Sequence, residues 1–145
     1  MKKIIIAVLA LLSLNIASAQ FKVEQKQSAP EAIWREGFGW VSLYQQNVGN
    51  GEHYYFIACR SSNQFDDMIL IHLGSKEKAL ATLAQLEKDL YVEGEIYELS
   101  DDKGESFTLK CGKFNYYYIY KRGYAGYGYI KMTHIPKMQS AINGY

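Results

Sequence analysis

From Phe38 onward, apolar and aromatic side chains recur in short runs with strand character, and twice the spacing lengthens to that of a helix. Phe38–Gln46 (FGWVSLYQQ) carries aromatic and β-branched residues on both parities. The cluster Asn47-Val48-Gly49-Asn50-Gly51 marks a turn, and Glu52–Cys59 (EHYYFIAC) resumes the strand pattern. Together these predict a β-hairpin. A loop over Ser61–Asp67 leads to a short apolar strand, Met68–Leu73.

The first helical period begins after Gly74. Ser75 stands at the N-cap, Glu77 lies in the first turn, and Gly94 is placed just past the end. Ala79, Leu80, Leu83, Leu86 and Leu90 fall on one side of that helix, a stripe that must face a core. Strands follow at Glu95–Leu99, Ser106–Cys111 and Phe114–Lys121, with Tyr129–Met132 as a last short one. Thr133 then caps a short helix in which Ile135, Met138 and Ile142 recur; Pro136 is tolerated in its first turn and Gly144 stops it.

The order is βββα-βββ(β)α. Hairpins with few helices predict an α+β fold: a single antiparallel β-sheet of about six to seven strands with two helices packed on one face. Each half runs strands first and then a helix, without a residue-level repeat that marks a duplication. Between Cys111 and Phe114, Gly112-Lys113 suits a two-residue type II′ loop. That loop sets Cys111 opposite Phe114, Leu109 opposite Tyr116 and Phe107 opposite Tyr118. Tyr116, Tyr118 and Tyr120 then become core bulk, and Tyr117 faces outward.

The start of the chain obeys different rules. Lys2 and Lys3 precede a mostly apolar run, Ile4–Leu14, and Ala17-Ser18-Ala19 offers small residues for cleavage. This is the layout of a secretory signal peptide over residues 1–19, cleaved after Ala19, and the run is too short to span a bilayer. It resembles the leaders of exported Gram-negative bacterial proteins. The expected location is periplasmic or secreted, with no membrane span after cleavage. Residues 20–33 are polar, carry Pro30 and read as a flexible lead-in, leaving 34–145 as one α+β domain.

Composition adds a soluble, globular character: 48% hydrophobic and 21% charged, with formal net charge +1. The charge is segregated. Glu52–Glu105 holds twelve acids against five bases, whereas Ser106–Tyr145 holds Lys110, Lys113, Lys121, Arg122, Lys131 and Lys137 and no acid. A near-neutral exported chain is a poor nucleic-acid binder. The segregation reads either as internal neutralisation or as a footprint for an anionic partner. Cys59 and Cys111 form an even pair, which in an oxidising compartment predicts one disulfide; two separate buried thiols are the alternative.

Catalytic patterns are missing from the sequence. No GxSxG, Walker loop, HExxH or dinucleotide fingerprint occurs, and the His and Cys residues lack a zinc spacing, so no cofactor or metal is expected. Asp66-Asp67 and Asp101-Asp102-Lys103-Gly104-Glu105 place carboxylates in loops of the kind Ca²⁺ favours, but the second lacks the spacing of a calcium loop, has Lys103 among its acids and reads as a solvated turn. A nucleophilic Cys59 or Cys111 would need His53 or His72 beside it. The unusual content is tyrosine: 13 residues, eight of them from Tyr116 on. The candidate contact surface is Lys110, Tyr117, Lys121, Arg122, Tyr124, Tyr127 and Tyr129, on and around a loop bent by Gly123, Gly126 and Gly128. The function this predicts is a small non-enzymatic binding module for another exported or cell-surface protein, as an inhibitor or immunity protein would be. A glycan-binding accessory domain is the alternative, and a hydrolase with a dispersed Asp/Glu–His site is a third reading. N-terminal sequencing of the protein recovered from its host should begin at Gln20; an intact Met1 on the folded product would remove the export reading.

Overall fold

Among the described residues, 27–144 of a computed structural model, two runs of four strands each end in a helix. The leader read at 1–19 lies outside the described residues. The first run is β1 (Glu31–Arg35), β2 (Val41–Gly49), β3 (Glu52–Cys59), β4 (Ile69–Gly74) and α1 (Lys76–Lys88). The second is β5 (Ile96–Ser100), β6 (Ser106–Cys111), β7 (Tyr116–Lys121), β8 (Gly128–Lys131) and α2 (His134–Asn143). β1 starts inside the segment read as a lead-in. No helix among these residues is long and apolar enough to cross a membrane.

The fold is α+β, but the strands form two sheets rather than one. Sheet A has the order β1-β2-β3-β4 and sheet B the order β5-β6-β7-β8, both antiparallel meanders. The edge of β4 shows why β5 does not extend sheet A. His72 N–H donates to the Asp101 carboxylate at 3.0 Å, and Asp102 N–H donates to the His72 carbonyl at 2.9 Å. The β5–β6 turn thus takes the His72 N–H and carbonyl that a fifth strand would use and covers the edge at that point. The helices bridge the sheets: α1 packs on β3 and β4, while α2 packs on α1, β1 and β8. Leu43, Ile57, Leu83, Ile119, Ile135 and Ile142 are all buried in one shared core.

The two halves are a structural repeat. In β2–β3, Val41, Leu43 and Gln45 pair with Cys59, Ile57 and Tyr55. In β6–β7, Phe107, Leu109 and Cys111 pair with Lys121, Ile119 and Tyr117 in the same way. Superposing those registers aligns Tyr54-Tyr55-Phe56-Ile57 with Tyr116-Tyr117-Tyr118-Ile119, and Arg60 with Arg122. Tyr55 and Tyr117 are the buried members in both halves.

Register corrects the reading of the tyrosines. The β6–β7 connection is Gly112–Asn115, with Phe114 and Asn115 at φ 58° and 62°, not a two-residue turn. Cys111 therefore faces Tyr117 and Leu109 faces Ile119. A shift of odd length turns every β7 side chain over. Tyr117 is 0% exposed, while Tyr116, Tyr118 and Tyr120 point away from the core. Gly112 has a different use from the one its position suggested: a Cβ there would lie 2.2 Å from the Tyr118 ring, which lies across this bare backbone.

The two cysteines are unbonded, which corrects the expected bridge. Both are 0% exposed, on different sheets and against different neighbours. Cys59 ends β3 where Gly128 of β8 comes close. Cys111 ends β6, and its Sγ donates to the Leu90 carbonyl at 3.4 Å. Burial pushes the Cys59 thiol up to about 12, so it stays protonated and packs as a small hydrophobe.

Helix α1 begins as predicted, with the Ser75 hydroxyl accepting from Lys78 N–H at 3.4 Å. It ends sooner than Gly94. Asp89 and Leu90 N–H groups both donate to the Gln85 carbonyl, so the Leu86 carbonyl loses its helical donor. The buried Tyr117 hydroxyl donates to that carbonyl instead, and the Tyr91 ring meets Tyr117 edge-on at 5.6 Å. Tyr117→Phe leaves the Leu86 carbonyl without that donor, and denaturant unfolding should show a loss of about 1–3 kcal/mol with unchanged secondary structure.

Candidate functional site

The outer face of sheet B is built by alternation. Tyr116, Tyr118 and Tyr120 of β7 stand on the side opposite Tyr117 and Ile119, and Lys110 of β6 pairs with Tyr118. Tyr129 of β8 pairs with Tyr118 from the other side. Tyr127, from the loop before β8, folds over the row. The rings touch in a chain: Tyr116–Tyr118 at 5.9 Å, Tyr116–Tyr129 at 5.5 Å, Tyr118–Tyr127 at 5.4 Å and Tyr120–Tyr127 at 5.6 Å. Lys131 Nζ sits 5.4 Å from the Tyr116 ring centre, and a hydrogen bond to the Tyr116 side chain raises its pKa. Lys110, Lys113, Phe114, Tyr118, Tyr120 and Tyr127 border a depression of about 590 Å³ on this face.

Four of the seven residues expected from sequence belong here or at its rim. Lys110 and Tyr127 are exposed, Tyr129 is half-buried in the ring chain, and Arg122 is exposed beside Tyr120 and Thr108. The other three are turned elsewhere. Tyr117 is in the core. Lys121 is engaged by Glu105 at 2.7 Å, a contact that raises its pKa. The half-buried Tyr124 has its ring beside the Lys121 ammonium, and its hydroxyl donates to the Met68 carbonyl at 3.4 Å. Sequence reasoning missed Tyr116, Tyr118 and Tyr120; their signal was the β7 alternation, read in the wrong register.

The loop carrying Tyr127 is fixed from sheet A. Asp66 Oδ2 accepts from the Ser61 hydroxyl at 2.7 Å and from Gly126 N–H at 2.8 Å, and Oδ1 accepts from Ala125 N–H at 3.2 Å. These bonds, the Ser61 hydroxyl first, hold the Asp66 carboxyl below the usual range. Ser62 completes the clasp: its N–H donates to the Tyr127 carbonyl and its hydroxyl accepts from Tyr127 N–H at 2.9 Å. A Cβ on Gly126 would lie 2.4 Å from the Asn63 nitrogen, so only glycine fits. Asp66, which the sequence places only in a loop, is what holds the Tyr127 loop in place.

Sheet A carries its own aromatic row on the outer side. Tyr44 stacks on Phe56 at 5.2 Å, Phe56 meets His72 at 5.8 Å, and His72 meets Tyr54 at 6.0 Å. His72 thus lies against rings, and His53 lies near Tyr55. Among the described residues, no three His, Cys, Asp or Glu side chains group as a metal site would require. Comparison with protein-family models, with curated proteins and with solved structures finds no match for this chain.

One end of the tyrosine row rests on His134, which opens α2. Its ring meets Trp34 of β1 at 5.2 Å and Tyr129 at 6.3 Å, and its Nδ1 accepts from Lys131 N–H at 3.2 Å. Burial first, then the Lys131 charge, lowers its pKa from 6.5 to about 4, with Glu36 opposing and Lys137 assisting. The folded protein therefore holds this imidazole neutral while the unfolded chain protonates it. Its contribution to stability is complete above pH 6.5 and is lost as pH falls toward about 4. Chemical denaturation across that window should show stability falling with acid, and His134→Asn, which keeps an acceptor but does not titrate, should flatten the slope.

Proposed function

We propose that this protein is an exported binding module that captures an acidic surface of another exported or cell-surface protein on the outer face of sheet B. The observation that carries the reading is the contiguous chain of Tyr116, Tyr118, Tyr120, Tyr127 and Tyr129 flanked by Lys110 and Lys131. Tyrosine gives a partner broad contact area and a hydroxyl while freezing only two torsions, which is why such rings concentrate at binding hot spots. Here the entropy cost is already reduced, since each ring leans on another and the Tyr127 loop is clasped by Asp66 and Ser62.

Charge supports an acidic protein surface as the occupant. Ser106–Tyr145 contains no Asp or Glu, and on this face Lys110, Lys113, Arg122 and Lys131 outnumber Glu93, which borders the depression, and Glu98, which accepts from the Thr108 hydroxyl, so the balance favours a carboxylate-rich partner. Inhibition or neutralisation of a secreted enzyme suits a module of this size and compartment. Glycan stacking on the same rings is the competing reading.

Affinity capture from the host's exported fraction, with partners identified by mass spectrometry, tests the reading. Tyr118→Ala and Tyr127→Ala should each weaken capture by tenfold or more, on the order of 1.4–2 kcal/mol or above. Tyr44→Ala on sheet A should leave capture unchanged, and raised salt should weaken it. Capture indifferent to both sheet B variants, or displaced by free glycan, would rule the proposal out.

A further inference from the structure

A second place in the molecule has the form of a ligand site and is independent of the tyrosine face. Between sheet A, α1 and sheet B lies a cavity of about 360 Å³. That is more than twice the roughly 150 Å³ apolar cavity known to take benzene in an engineered protein, and it is within the usual range for small-molecule pockets. Its depth is apolar: Ile57, Ile71, Phe107, Leu109, Ile119 and Ile130 line it, drawn from both repeats. Ala81 and Lys78, both exposed on α1, mark where it opens.

The polar groups at the opening are acceptors. Asp101 and Asp102 both line it. The one ammonium there is already engaged, since Lys78 Nζ lies 2.9 Å from Asp102 Oδ1. Asp102 Oδ2 accepts from the Tyr54 hydroxyl at 3.2 Å, and Asp101 Oδ1 accepts from the Lys103 and Glu105 N–H groups. Asp101 Oδ2 also accepts the His72 N–H, so of the roughly four acceptor sites on a carboxylate Asp102 retains about two and Asp101 about one. His72 is also part of the lining, while its ring belongs to the outer row of sheet A against Phe56 and Tyr54, where Nδ1 is buried without a hydrogen bond within the protein. Burial, the largest cause, lowers its pKa and favours the neutral imidazole.

We infer that the cavity between the two repeats binds a small amphiphile with an apolar ring or medium alkyl chain and a hydrogen-bond-donating head, an amine or an alcohol. The chain lies among the aliphatic residues of both sheets, and the head meets the acceptors at the Asp101–Asp102 turn. Two carboxylates against one engaged lysine disfavour a carboxylate head. The class of ligand therefore follows from the sign of the opening and the apolarity of the interior.

Three probes of equal chain length separate these terms: decylammonium, 1-decanol and decanoate, each titrated into the folded protein by calorimetry. Saturable one-to-one binding is expected for the amine and the alcohol, with decanoate at least tenfold weaker. Ala81→Phe fills the opening from an exposed helical position and should abolish binding while far-UV circular dichroism stays unchanged. Methyl NMR shifts at Ile71 and Leu109 on adding 1-decanol should locate the chain even if that variant folds poorly. Absence of saturable binding, binding that survives in folded Ala81→Phe, shifts confined to other methyl groups, or decanoate binding as tightly as decylammonium would each overturn the inference. The tyrosine face stands or falls separately, because Tyr118→Ala leaves this cavity untouched.

Discussion

The pairing of Leu109 with Ile119 and of Cys111 with Tyr117 governs both sides of sheet B at once. It places Tyr117 and Ile119 in the core and leaves Tyr116, Tyr118 and Tyr120 on the far side. The opposite parity would expose Ile119, at a cost of about 1.5–3 kcal/mol, and would bury phenol hydroxyls in its place. It would also withdraw the Tyr117 hydroxyl from the Leu86 carbonyl, where α1 has lost its own donor. The turn that enforces the observed register holds Phe114 at φ 58° with its side chain 87% exposed. A bulky residue in the left-handed region is costly, so the packing of β7 must outweigh that strain.

Neither repeat closes a core alone. Each presents four strands and one helix, and the apolar inner faces are covered only when the two units meet. The junction is held by carboxylates working in opposite directions. Asp66 of the first unit accepts backbone N–H groups from Ala125 and Gly126 of the second, and Asp101 of the second accepts N–H from His72 of the first. Charge-assisted bonds of this kind are stronger than neutral ones; the first joins loop to loop and the second joins a loop to β4. The cavity lies along the same junction, and its lining comes from both units.

Local features were legible where one residue settles them. Ser75 announces α1, and Ile135, Met138 and Ile142 announce α2, because caps and periodicity act within a turn or two. Thr133 shows the limit. It occupies the N-cap but makes no side-chain cap bond, and His134 accepts the nearby Lys131 N–H instead. β1 was hidden because EAIWR is short and follows Pro30; its place depends on β2 beside it and α2 behind it. The division into two sheets depends on what occupies the edge of β4, a contact between residues far apart in sequence. Gly112 misled because a glycine in a hairpin reads as turn chemistry, while here it makes room for the Tyr118 ring. That error carried through to the candidate surface, retaining Lys110, Arg122, Tyr127 and Tyr129 and exchanging the β7 tyrosines for their neighbours.

The repeat also bears on why the two outer faces differ. In the superposed registers Tyr44 corresponds to Lys110, Phe56 to Tyr118 and Ala58 to Tyr120. The first unit stacks Tyr44 on Phe56, 5° from parallel, under Arg35, and Ala58 leaves the neighbouring position small. The second unit replaces that alanine with a ring, adds Tyr127 and Tyr129, and places a lysine where the first has Tyr44. A structural requirement common to both units would preserve the same residue types on both outer faces, as Tyr55 and Tyr117 are preserved in the core. The added rings and cation on sheet B are the part of the second unit that has no counterpart in the first, and they are the surface on which the proposed capture of a partner depends.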